Sequence, residues 1–80
     1  MRLPRNLSGD DLAKLLRVYG YEITRQRGSH MRLTTRRNGE HHLTIPRHDP
    51  LRVGTLNGII KDLAEHLEID RDELMAELFG

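Results

Sequence analysis

The segment MRLTTRRNGEHHLTI, residues 31–45, decides the fold. Apolar residues recur at every second position on either side of Arg37-Asn38-Gly39, the pattern of two half-buried strands joined by a tight turn. An Asn-Gly pair ordinarily marks a two-residue hairpin turn. Here that turn would pair Arg37 with Glu40 and put Leu33 and Leu43 on opposite faces. A three-residue loop, Arg37-Asn38-Gly39 with Gly39 left-handed in a bulge, pairs Arg36 with Glu40 instead. Leu33 then faces Leu43, and Met31 faces Ile45. A slip of one residue would flip every side chain, so the apolar pattern selects the longer loop.

The same test applied upstream makes Arg27-Gly28-Ser29 the loop of a first hairpin, with a strand opening at Tyr21. Ile23 is then expected opposite Leu33, and His30 opposite Gln26. His30 opens the second strand on the face turned away from the helices, with Arg32 two residues on. His41 and His42, as strand neighbours, point to opposite faces. A helix precedes the strands. Ser8 is placed to cap it, Leu7 to staple onto Leu12, and Leu12, Leu15, Leu16 and Tyr19 form one apolar stripe that Gly20 ends. After the loop PRHDPLRVG, a second helix is expected from about Thr55, with Leu56, Ile59, Ile60, Leu63, Ala64 and Leu67 on one side. Gly58 weakens its first turn by about 1 kcal/mol relative to alanine. A short last helix begins at Asp70, and its Leu74, Met75, Leu78 and Phe79 are expected to pack on the second helix rather than form a dimer surface. The order α-β-β-β-α-α defines an α+β domain: a three-stranded antiparallel sheet with the helices on one face. That is the architecture of the double-stranded-RNA-binding domain. One domain over residues 1–80 is expected, with its core in about 8–67 and an accessory helix in about 70–79.

A chain of 80 residues buries only about 60% of its unfolded surface, so its core is thin. Cysteine is absent, which removes disulfides and thiolate chemistry and suits a reducing, cytoplasmic setting. No apolar run approaches the roughly 18 residues of a membrane span. The net charge of +1 conceals an asymmetry. Residues 1–54 hold eleven of the thirteen Lys and Arg against five of the twelve acids, a balance of +6; residues 55–80 hold two against seven, a balance of −5. Arginine dominates the cations, and its planar fork suits phosphate. Charge alone leaves two readings open, a polyanion partner or an ordinary solvated surface.

Four of the five histidines fall between positions 30 and 48. A metal site finds little support there. His41 and His42 cannot share an ion, and His30, His42 and Glu40 follow no ligand spacing. Ser29 beside His30 is a sequence neighbour without an oriented partner, so a hydrolase triad is not indicated either. Cleavage of an RNA phosphodiester needs less: a base for the 2′-OH and cations for the phosphate. An imidazole can serve the first need, and Arg25, Arg27, Arg32 and Arg36 can serve the second.

The stretches SGDDLAKLLRVYGYEITRQRGSHMRL, LTIPRH and VGTLNGIIKDL resemble the HicA family of toxin ribonucleases over about Ser8 to Leu67. The distinctive parts are Arg-Gln-Arg-Gly-Ser-His, Ile-Pro-x-His and Gly-Thr-Leu. The resemblance implies an α-β-β-β-α fold, cleavage of single-stranded mRNA in the cytoplasm without a cofactor, and neutralisation by a HicB-like antitoxin. It assigns catalysis to His30 after its Gly-Ser, turn shaping to Gly28 and Ser29, and phosphate binding to the basic residues around them. His48 and Thr55 also match family positions; a loop-fixing hydrogen bond and a helix cap are expected of them. Two departures stand out. Met31, Arg32 and Leu33 follow the Gly-Ser-His where many members carry a second His or an aromatic, and the C-terminal helix is acidic. A non-catalytic module that binds RNA or an antitoxin on the same fold is the alternative; no membrane or DNA partner is expected.

Overall fold

The computed structural model describes residues 2–80. Helix α1 (Gly9–Leu15) runs on as a 3-10 turn, Leu16–Tyr19. Ser8 caps it as expected, its Oγ accepting the Asp11 N–H at 3.0 Å. The tightening of the last turn was not anticipated. It brings Leu16 and Tyr19, three residues apart, onto one side, and both are buried. Gly20 stops the turn in the left-handed region, φ 83°.

Strands β1 (Glu22–Arg27), β2 (His30–Thr35) and β3 (His41–Pro46) form one antiparallel sheet in that order. Helices α2 (Val53–Leu67) and α3 (Arg71–Phe79) follow. The central strand β2 alternates cleanly: Met31, Leu33 and Thr35 are buried, while His30, Arg32 and Thr34 lie on the other side. Met31, Leu33, Leu43 and Ile45 join Leu12 and Leu16 of the first helical segment and Leu56, Ile60 and Leu63 of α2 in one core. The α+β, double-stranded-RNA-binding-domain-like architecture is therefore present, with one sheet face covered and one open.

The second hairpin has the expected register, Met31 opposite Ile45 and Leu33 opposite Leu43. Its loop places both Asn38 (φ 60°) and Gly39 (φ 96°) left-handed, rather than Gly39 alone. The loop is tied to the end of α2. The Nε2 of His66 lies 2.9 Å from the Arg37 carbonyl and 3.1 Å from that of Gly39, so this nitrogen must be the donor. Asn38 returns a bond to the His66 carbonyl at 2.7 Å. The His66 ring stacks on His41 at 4.2 Å, and His41 sits between the Tyr21 hydroxyl (2.8 Å) and Asp62 (3.2 Å). Burial pushes the Tyr21 phenol up to about 12.

The first hairpin departs from expectation in an informative way. Ile23 does face Leu33, but His30 pairs with Arg27, not Gln26. The turn is the two-residue Gly28-Ser29, with Gly28 at φ 58°. The residue that a three-residue loop would have absorbed is instead Thr24, where the register shifts between Ile23 and Arg25 as a β-bulge. Both arrangements satisfy Ile23 and Leu33; only the bulge also continues the ladder to the tight turn.

Helix α2 starts two residues before the expected Thr55. Its N-cap is Arg52, with no side-chain cap, so Thr55 is an interior residue and not the cap. Gly58 accordingly lies in the second turn, and a Cβ there would meet nothing within 4 Å. Gly58→Ala is expected to stabilise the protein by about 1 kcal/mol, read as a shift in the urea midpoint with unchanged m-value. Helix α3 is capped by Asp70, which accepts from the N–H groups of Asp72 and Glu73. Leu74 and Met75 are fully buried, and Tyr19 donates to Glu77 at 2.6 Å. The helix thus seals the core, as its apolar pattern implied.

Candidate active site

The bulge at Thr24 determines what the open face carries. In an antiparallel pair, directly opposed residues share a face. With an uninterrupted register from Ile23 and Leu33, Arg25 would oppose the buried Met31 and point toward the helix side, and the turn would take up Arg27. With the bulge, Arg25 opposes Arg32 and Arg27 opposes His30. All four therefore project from the solvent face. They line one open cleft of about 190 Å³ together with Met31 and Thr44. His30 is exposed to solvent. Arg36, grouped with these arginines in the sequence reading, does not join them. It lies past the far end of β2, six residues from His30 and so about 20 Å away.

The turn under His30 is held from behind. The Ser29 carbonyl accepts the Arg47 N–H at 2.6 Å. The Arg47 side chain forms a bidentate pair with Asp10 of α1, Nε to Oδ1 at 2.9 Å and an Nη to Oδ2 at 3.1 Å. Two further main-chain bonds bind the same loop to the start of α1: Gly9 N–H to the His48 carbonyl at 2.9 Å, and Leu51 N–H to the Leu7 carbonyl at 2.8 Å. The bond expected of the His48 imidazole is thus made by its carbonyl, and the fixing side chain is Arg47. The Arg47 guanidinium holds the Asp10 carboxyl below its ordinary value. A carboxyl lowered on folding contributes stability above its unfolded value and loses it as the pH falls through the folded one, so this tie holds from mildly acidic pH upward and fails in strong acid. Asp10 and Arg47 escaped the sequence reading because they are 37 residues apart and neither sits in a motif. The signal available was weak: an acid in the first turn of a helix and an arginine at a strand exit.

Farther along the open face, His42 contacts Thr34 (2.8 Å) and Glu40 (3.3 Å), confirming that it points away from His41. Among the described residues no three His, Asp or Glu side chains converge as a metal site would need.

A small α-β-β-β-α-α domain with a basic, histidine-bearing cleft on its open sheet face belongs to the double-stranded-RNA-binding-domain-like class. The model of the HicA toxin family of bacterial toxin–antitoxin systems matches residues 9–64, and the chain belongs to that family. It is accordingly a toxin component with a cognate antitoxin as partner. No curated protein and no solved structure matches it. Among the described residues no helix is long and apolar enough to cross a membrane.

Proposed function

We propose that the protein is an endoribonuclease that cleaves mRNA in the cytoplasm without a metal, with His30 as its catalytic residue. The observation carrying this reading is the bulge at Thr24, which gathers Arg25, Arg27 and Arg32 around His30 on the accessible face. The guanidinium groups grip the phosphodiester of a single strand and stabilise the charge that builds on its oxygens. His30 takes the proton of the 2′-OH; O2′ bonds to phosphorus as the P–O5′ bond breaks. The imidazolium so formed can return its proton to the departing 5′ oxygen. The products are a 2′,3′-cyclic phosphate and a 5′-hydroxyl. In-line attack needs a splayed linkage, which favours unpaired RNA. Gly28 and Ser29 set the height of the imidazole, and the Arg47–Asp10 pair keeps the turn still. A HicB-like antitoxin with an acidic surface complements the cleft and would silence it by covering His30.

The test is incubation of a defined single-stranded RNA with the purified protein in excess EDTA. Products ending in cyclic phosphate are expected. RNA that is retained but left intact would overturn the nuclease and leave the binding module. Arg25→Ala is expected to weaken retention and to reduce the slope of log K against log salt by about 0.7, one phosphate contact on a single strand.

A further inference from the structure

Beyond the arginines, the open face carries a polar array, hydrogen-bonded from Thr24 through Thr34 to His42 and flanked by Glu40, that the proposed cleavage chemistry does not use. The Thr24 and Thr34 hydroxyls are 2.8 Å apart, Thr34 Oγ1 is 2.8 Å from His42 Nδ1, and His42 Nε2 is 3.3 Å from a Glu40 carboxylate oxygen. The array crosses all three strands and is accessible; the side chains of His42 and Glu40 are 38% and 61% exposed. Thr34 lies four residues along β2 from His30, about 13 Å away, with the Arg25–Arg32 rung between them.

The proton positions in this array have a direction. The Glu40 carboxylate, which only accepts, lies beside Nε2 and favours the tautomer of His42 that carries its proton there. In the neutral ring Nδ1 is then bare and accepts from Thr34. The Thr34 oxygen can take the Thr24 proton, which otherwise goes to the Arg32 carbonyl at 3.3 Å. Every hydroxyl proton is committed, and what faces solvent is lone pairs on Thr24, Thr34 and Glu40. Glu22, opposite Thr34, adds a negative charge at the edge. Phosphate is therefore disfavoured here, while a donor is wanted.

We infer that Thr24, Thr34, His42 and Glu40 form a base-reading subsite that takes the exocyclic amino group of a nucleobase and disfavours uracil. Uracil has no amino group, and its lone N–H lies between two carbonyls that would meet the lone pairs. Phosphate contacts position a strand and base contacts specify it; the two kinds of group occupy adjacent rungs of one sheet. The inference rests on RNA being the substrate of the adjacent cleft.

The test compares oligocytidine with oligouridine, two weakly stacking RNAs that differ at the amino position, by fluorescence anisotropy at mildly alkaline pH. His30→Ala protein keeps the RNA intact. Cytidine is expected to bind about ten-fold tighter, the scale of one good base contact. Adding His42→Ala or the shape-preserving Thr34→Val should erase the difference, whereas adding Arg25→Ala should weaken both RNAs alike. Equal binding of the two RNAs, or a preference that survives both substitutions, would overturn the subsite. Cleavage by the unsubstituted protein is scored separately. A cytidine preference without cleavage supports the subsite while refuting the nuclease, and cleavage without a preference does the reverse.

Discussion

Replacing His30 by alanine should lower RNA cleavage about 10²–10⁴-fold, the usual contribution of a positioned proton-transfer group. The side chain is exposed and sits at the edge of a tight turn, so its loss removes no core contact and the thermal midpoint should not move. RNA retention should persist, because Arg25, Arg27 and Arg32 remain on the same face. The measurement is single-turnover cleavage of a labelled RNA, with growth arrest on expression as the cellular counterpart. A variant that cleaves within about ten-fold of the parent would remove His30 from the mechanism. Loss of both retention and folding would instead make it a structural residue.

The second large effect is on stability. Gly9 opens α1, and a Cβ built there would collide with the Pro46 carbonyl and approach the Arg47 Cα at 3.2 Å. Both are main-chain atoms, which cannot swing aside as a side-chain tip can. Gly9 also donates its N–H to the His48 carbonyl at 2.9 Å, so backing away costs a hydrogen bond. Gly9→Ala should therefore destabilise the protein by about 3 kcal/mol, the upper end of the usual overpacking cost. In a domain of this size that lowers Tm by on the order of 15 °C. Gly54→Ala is the control, since a methyl there meets nothing within 4 Å. Equal midpoints for the two variants would show that α1 does not press on the loop. Because that loop pins Ser29 through Arg47, residual folded Gly9→Ala protein should also cleave more slowly.

Local patterns foretold most of the scaffold. Alternation in Met31–Ile45 fixed the pairing of β2 with β3, because two buried ladders, Met31–Ile45 and Leu33–Leu43, admit one register. The caps at Ser8 and Asp70 were legible for the same reason: each bonds main chain only two or three residues away. β1 is different. All six of its residues are exposed, so little burial penalty distinguishes one register from the next. Its apolar marker, Ile23, is satisfied with or without a bulge. The candidate site inherited that ambiguity. His30 and its arginines were visible as residue types around a glycine turn, but the face on which Arg25 and Arg27 lie depends on Thr24. The Asp10–Arg47 tie was hidden by separation in sequence, and Arg36 was included because nearness along the chain is a poor guide on a strand that carries it away at about 3.3 Å per residue.

The bulge at Thr24 also decides which single-residue losses β1 can tolerate. Excising that single residue would make Ile23–Leu33 and Arg25–Arg32 consecutive rungs of an uninterrupted ladder, leaving the core, the arginines and His30 in place and removing only the threonine from the open face. A lineage could thus drop that codon and stay armed, whereas dropping the codon of Gln26 would straighten the same strand with Arg25 opposite the buried Met31, turned toward the helices.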